Sequence, residues 1–297
     1  MTEQVTNCPL CGKAGSRPFD QRVFRGLPVV NCMCAACGFI FQSPRMTEAE
    51  LQEFYAAEYR RLYQGSEGPS AKDLAVQAQR ARSLLEYTRS YLAGTAPLGE
   101  DSLFLDIGCS AGKLLESFAQ AYHCRVVGVE PGDAYRAEDQ RRGLDVYASL
   151  DGVEQAGQYP CDLISLIHVL EHLPDPVQYL AHLRQKLLKP RGWLLVEVPN
   201  LYAHDCFEVA HLASFSAHTL VETLKQAGFE LVALRKHGAP RSRLLPLYIT
   251  VLARPLPVSL LQAVAPERGV QLKRRAGMFR RRIVTRLFPG QAWLPVS

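Results

Sequence analysis

The stretch that most restricts this chain is Leu103-Phe-Leu-Asp-Ile-Gly-Cys-Ser-Ala-Gly112. Leu103, Phe104, Leu105 and Ile107 form a short apolar run, the pattern of a strand buried on both faces. Gly108 and Gly112 follow, and the helix-forming run Lys113–Ala121 begins at once. Strand, glycine turn and helix in that order let backbone come close to a nucleotide-like ligand. A second apolar strand, Arg125–Val129, ends in Glu130. An acid there, about 20 residues past the turn, is placed to accept hydrogen bonds from both hydroxyls of a ribose. The turn is Gly-x-x-x-Gly behind Asp106 rather than the Gly-x-Gly-x-x-Gly of dinucleotide sites, where a helix N-terminus faces a pyrophosphate.

Strand and helix patterns alternate from here, which predicts a parallel doubly wound sheet. Val146-Tyr147 is a short third strand, Cys161–Ile167 a fourth, and the run ending at Pro199 a fifth. Val177–Leu188 is the helix before the fifth. Ser216 starts a helix that Gly228 ends. Phe229–Leu234 and Tyr248–Ala253 close the sheet as an antiparallel hairpin around the loop Gly238–Pro246. Upstream, Lys72–Ala93 is a long amphipathic helix expected to cover the lip of the ligand site. Thr47 and Glu50 form a capping box for a helix running to about Tyr59, and the loop Gly65–Ser70 separates the two.

The N-terminus carries two Cys-x-x-Cys-Gly knuckles, Cys8/Cys11 and Cys34/Cys37. Four thiolates on two tight turns can close a tetrahedral zinc site, with Arg22–Val30 as strand material for a zinc ribbon. A module this short builds little core, so the metal would supply its folding energy. A disulfide pair or four unrelated thiols is the alternative. Cys32 fits the spacing less well, and Cys109, Cys124, Cys161 and Cys206 read as small buried hydrophobes.

Asp106–Gly112 followed by Glu130 resembles the cofactor site of class I S-adenosylmethionine-dependent methyltransferases. That cofactor has no phosphate but has an amino group that Asp106 can help hold. Cys161–His172 and Leu187–Asn200 resemble the family's fourth and fifth strands in the right order, so the likeness spans roughly residues 80–253. The resemblance implies an α/β, doubly wound, mostly parallel seven-stranded sheet with a closing antiparallel hairpin. It also implies cofactor contacts from Asp106, Gly108, Cys109, Gly112, Glu130 and His168, and from the Ala148–Leu150 loop beside the adenine. The implied layout is a zinc ribbon at 1–45, a helical linker at 46–71, the cofactor domain at 72–254 and a basic tail at 255–297.

An oxygen acceptor must lose a proton during methyl transfer, which suits histidine. His168, Glu171 and His172 follow the fourth strand, and Asn200, Tyr202, His204, Asp205 and His211 follow the fifth. His168 is expected to face the cofactor, as base or as wall; His204-Asp205 reads as an exposed turn pair. Ala210–Ser216 resembles a segment of deoxysugar C-methyltransferases and related O-methyltransferases in which a histidine projects toward the acceptor. Those C-methyltransferases read Tyr-His-Glu-His where this chain has Glu208-Val-Ala-His211, so His211 is expected to deprotonate a hydroxyl rather than a carbon. The ribbon also resembles those sugar enzymes, which carry a further domain that about 44 residues here cannot supply. A sugar, nucleotide-sugar or glycan-precursor hydroxyl is the expected acceptor. RNA base methylation and a non-catalytic cofactor-binding module are the rivals.

Net charge is +5 over 297 residues, unevenly placed. From Pro255 onward eight basic residues face a single acid, Glu267, so the tail carries +7 and the rest −2. The body therefore has no bulk attraction for nucleic acid. In Gln271–Phe288 the apolar Leu272, Ala276, Phe279, Ile283 and Leu287 recur at helical spacing. Such a helix can pack on the body, lie on an anionic membrane surface or touch nucleic acid. No secretory signal is read at the N-terminus and no apolar run is long enough to span a bilayer, so a cytoplasmic location is expected.

Overall fold

The computed structural model describes residues 2–55, 62, 68–94, 97–256 and 263–295. The expected helix end near Tyr59 and the first half of the loop Gly65–Ser70 lie outside them. The N-terminal part contains β1 (Thr2–Glu3), β2 (Ser16–Phe24), β3 (Leu27–Cys34), β4 (Ile40–Gln42), β5 (Arg45–Met46) and α1 (Glu48–Glu53), whose Thr47–Glu50 capping box is formed. Next come α2 (Ala71–Leu92), β6 (Leu103–Ile107), α3 (Lys113–Tyr122), β7 (Arg125–Val129), α4 (Asp133–Arg141), β8 (Asp145–Tyr147), α5 (Leu150–Gln155) and β9 (Cys161–Ile167). The rest comprises α6 (Pro176–His182), β10 (Leu188–Pro199), β11 (Ala213–Ser214), α7 (Ala217–Gln226), β12 (Phe229–His237), β13 (Tyr248–Pro255) and α8 (Val270–Leu287).

The main sheet has the order β12-β13-β10-β9-β6-β7-β8, parallel from β10 to β8 and antiparallel at β13. The central parallel strands bury both faces, while the edge strand β8 buries only Val146. Leu103, Leu105 and Ile107 point into one core with Leu194, Val196 and Leu220, while Phe104 joins Leu84, Phe118 and Trp193 on the other side. The strand order reverses between β6 and β9, and a crevice opens at such a switch point beyond the carboxyl ends. Register brings those ends level: Ile107 lies beside Val129 and Leu166, and Ile167 beside Glu197. Asp106, Glu130 and His168 therefore meet at one rim.

The ribbon is not a free appendage. Its sheet runs β11-β4-β3-β2, so a strand from the body completes it. Phe39 packs on Phe215, and both knuckles share the core of the main sheet.

The C-terminal helix packs on the body by a different face from its apolar stripe. Val270 and Arg274 are buried. Arg274 donates to the carbonyls of Leu201 and His204, and Arg281 to that of Ala203. A Cβ at Gly277 would collide with the carbonyl of Tyr202, so only glycine permits this approach. Leu272, Phe279, Ile283 and Leu287 point outward.

Candidate functional site

The glycine turn is held open from three sides. Gly108 and Cys109 donate backbone N–H groups to the Val129 carbonyl at 2.8 and 3.0 Å. From α2, Gln77 accepts from Ala111 N–H at 3.0 Å and donates to Ser110 Oγ at 3.1 Å. Glu130 accepts from Ser110 N–H at 3.1 Å and from Gly132 N–H at 2.8 Å. Gly108 sits at φ 75°, and a Cβ there would lie 2.5 Å from Val169 Cγ2. Asp106 is buried and accepts from Ser165 Oγ at 2.5 Å. Burial, opposed by Ser165 and reinforced by Asp139 and Glu130, pushes its carboxyl up to about 7.

A cavity of about 660 Å³ opens over this turn, within the usual range for a small-molecule site. Asp106, Gly108, Cys109, Glu130, His168 and His211 all line it. Gly112 and Leu150 do not; Ala148 does. Ser149 caps α5, which makes Leu150 a helical residue packed on the main core rather than a loop residue beside a ligand. The Cys109 thiol points away toward Asp139 at 3.8 Å, so only its backbone borders the turn.

Opposite the glycine turn lies a buried ionic network. His168, at φ 58°, places Nδ1 3.3 Å from Glu171 and Nε2 3.2 Å from Glu197. Glu197 also accepts from Thr250 Oγ1 at 2.7 Å, lies 3.1 Å from His237 Nε2 and 3.6 Å from Arg80. Burial alone would raise both carboxyls. His168 and His172 hold Glu171 down to about 2, and His168, His237 and Arg80 hold Glu197 well below the carboxylate range. Each His168 nitrogen thus faces a carboxylate, Nδ1 that of Glu171 and Nε2 that of Glu197.

His211 is different. Its Nδ1 lies 2.8 Å from the Cys206 carbonyl, a partner to which only N–H can donate. In the neutral ring, Nε2 is then the nitrogen that carries the lone pair. The ring stands edge-on to His172 at 4.9 Å, and Ser216, not His211, caps α7. His172 donates Nδ1–H to the Ala210 carbonyl at 2.9 Å. Its pKa falls to about 4 through burial, against the pull of Glu171. Glu171, His172 and His211 bring ligand atoms within 4.8 Å of one another, so the group could also hold a divalent ion. His204 is half-buried rather than exposed, its ring tilted against Tyr248, and burial lowers its pKa to about 3. Asp205 instead pairs with Arg22 of the ribbon at 2.8 Å and with Arg274 of α8 at 3.5 Å.

Sequence reasoning missed Gln77, Arg80, Glu197, His237 and Tyr248. Glu197 carried a usable signal, since a charge inside the run Leu194-Leu-Val-Glu-Val198 must be paired where it is buried.

In the ribbon, the Sγ atoms of Cys8 and Cys37 are 3.6 Å apart and those of Cys11 and Cys34 3.7 Å. All four fall within 4.8 Å of one another. A tetrahedral zinc with Zn–S bonds of ~2.3 Å sets its sulfurs ~3.8 Å apart, whereas a disulfide requires about 2 Å. Cys32 stands outside the cluster, near the Ser43 carbonyl.

A sequence profile of the methyltransferase domain matches residues 76–234. The ubiquinone biosynthesis O-methyltransferase of Saccharophagus degradans is 33% identical over 118 residues, 37% of this chain and 49% of that protein. The enzyme of the same name from Acinetobacter baylyi is 32% identical over 106 residues, 32% of this chain and 43% of that protein. The chain thus spans less than half the length of these curated relatives. Among solved structures, the 1,6-didemethyltoxoflavin-N1-methyltransferase of Burkholderia thailandensis, bound to 1,6-didemethyltoxoflavin and S-adenosylhomocysteine, aligns with a TM-score of 0.55. At 19% identity, over 73% of this chain and 96% of that one, this is a likeness of fold.

Proposed function

The chain belongs to the methyltransferase-domain family matched over residues 76–234, and on that premise we propose that it moves a methyl group from S-adenosylmethionine to a hydroxyl of a small-molecule acceptor. One observation carries the choice of oxygen: His211 lines the cavity with Nδ1 tied to a carbonyl and Nε2 left as a base.

The residues present fit the cofactor. Asp106, buried at the strand end, suits its amino group. Glu130, whose oxygens now take Ser110 and Gly132 N–H groups, suits a ribose diol, and the bare backbone of Gly108 allows close approach. When bound, the cofactor supplies a methyl already activated on a sulfonium, so the protein's task is alignment and removal of the acceptor's proton. His211 Nε2 takes that proton while the Cys206 carbonyl steadies the ring. His168, held between Glu171 and Glu197, fixes the wall between the cofactor side and the acceptor side. Cys8, Cys11, Cys34 and Cys37 suit one structural zinc.

The ribbon and the segment around His211 support a sugar, nucleotide-sugar or glycan-precursor acceptor. A second reading, a hydroxylated ring of the kind methylated in ubiquinone biosynthesis, draws on the names of the curated relatives and on the ring edges of Tyr55, His172 and His211. Transfer of labelled methyl to a panel of nucleotide-sugars, glycosides and dihydroxy aromatics separates the two. His211→Gln should lower kcat roughly 10²–10⁴-fold on the accepted compound and leave cofactor affinity within twofold. A variant that keeps full turnover would remove His211 from the reaction.

A further inference from the structure

Methyl transfer leaves the outward face of α8 unused. Leu272, Phe279 and Leu287 are 72%, 63% and 63% exposed and Ile283 is 40% exposed, on a helix whose other face is anchored by Arg274 and Gly277. The spacing 272, 276, 279, 283, 287 makes one continuous stripe along the helix. Arg275, Arg282 and Arg286 run along one flank of the stripe, and Lys273 and Arg280 along the other. No acid lies between Val270 and Leu287; Glu267, just before the helix, accepts from Ser216 and Tyr202 and pairs with Lys273 at 3.0 Å, which leaves Arg275, Arg280, Arg282 and Arg286 as the cations offered to a partner.

We propose that this face docks on an anionic lipid bilayer, the stripe entering the headgroup boundary and the arginines reaching phosphates on either side. Long basic side chains flanking an apolar centre are the arrangement that keeps charge in the headgroups while aliphatic groups leave water. Charge complementarity selects this occupant. Two copies of the helix face to face would set like charge against like charge across a two-fold axis, with no acid to pair. A nucleic acid would use the arginines but would leave Leu272, Ile283 and Leu287 without an apolar partner. The helix is already seated with its stripe outward, so docking needs no rearrangement of the body. It also rests on the segment Leu201–His204, and His204 lines the cavity, so the bilayer would lie one helix away from the acceptor wall.

The test is co-sedimentation of the full chain with vesicles of phosphatidylcholine alone or with phosphatidylglycerol added. Binding is expected only with phosphatidylglycerol, and about 0.5 M salt should release most of it by screening. Arg275→Gln, Arg282→Gln and Arg286→Gln together should weaken binding about 100-fold. Leu272→Ser, Phe279→Ser and Ile283→Ser together should weaken it at least about tenfold. Both variants change exposed side chains, so their melting temperatures should match the parent's. Four outcomes overturn the proposal: no binding to anionic vesicles at low salt; binding that survives the apolar triple change; a dimer that the apolar change dissolves while lipid binding is absent; or RNA binding, lost with the arginines, in place of lipid binding.

Discussion

Asp106 carries its own pH signature. Burial, together with Asp139 and Glu130, places its carboxyl at about 7 in the free protein, so near neutrality it is partly protonated. A cationic amino group beside it favours the carboxylate, so cofactor binding should expel a proton. The sign follows from linkage: the free protein holds the proton below about 7 and the complex does not, so affinity should rise from pH 6 to pH 8. Calorimetry in buffers of different ionisation enthalpy measures that release directly. Asp106→Asn should bind more weakly at pH 8 and show a flat profile. An unchanged slope in that variant would place the amino group elsewhere. The aspartate itself was legible from its place between strand and glycine turn. Its pKa was not, because that depends on Ser165, Asp139 and Glu130, which only the folded sheet brings near.

At the scale of elements, the ribbon is wired to the acceptor side. Gln42 of β4 donates its N–H to the Leu212 carbonyl at 2.8 Å and its side-chain amide to the Glu208 carbonyl at 3.3 Å. Ala213 pairs with Phe41. These contacts bracket His211, and β4 leaves the knuckle that holds Cys34 and Cys37. The four-cysteine cluster should bind one zinc per chain, and stripping it, or Cys37→Ser, should reduce kcat roughly 10–100-fold by misplacing His211. Cofactor affinity, which the proposed site places on β6, β7 and α2, should stay within twofold. Metal analysis, calorimetry and turnover on one preparation decide this; a zinc-free protein with full kcat would sink it. The cysteine spacing announced the cluster, but nothing in residues 1–45 announced a fourth strand arriving from residue 213, because sheet pairing across 170 residues leaves no local pattern. The tail shows the converse limit. Its apolar periodicity was legible, yet Arg274 and Gly277, not the stripe, meet the body, since an arginine that can cap three-dimensional clusters of carbonyls is indistinguishable in sequence from a solvated one.

Across the whole molecule, Glu197 is the point where the long helix, the switch-point strands and the closing hairpin are tied together. Arg80 comes from α2, His168 from the end of β9, His237 from β12 and Thr250 from β13. The carboxylate is wholly buried and the surrounding donors hold its pKa well below the ordinary range, despite the opposing effect of burial. A carboxyl depressed in the folded state lends stability above its unfolded pKa, and that stability is lost as pH falls below it. Glu197→Gln leaves Arg80, His168 and His237 without their shared counter-charge, a change that typically costs about 3–5 kcal/mol where the site is buried. Thermal unfolding at pH 7 should therefore show a large drop in melting temperature for the variant. The gap should narrow toward pH 3, because the unfolded parent takes up a proton at this carboxyl while the folded one, held well below the ordinary range, still does not. A gap of equal size at both pH values would mean that Glu197 acts through shape and hydrogen bonding, with its charge contributing little.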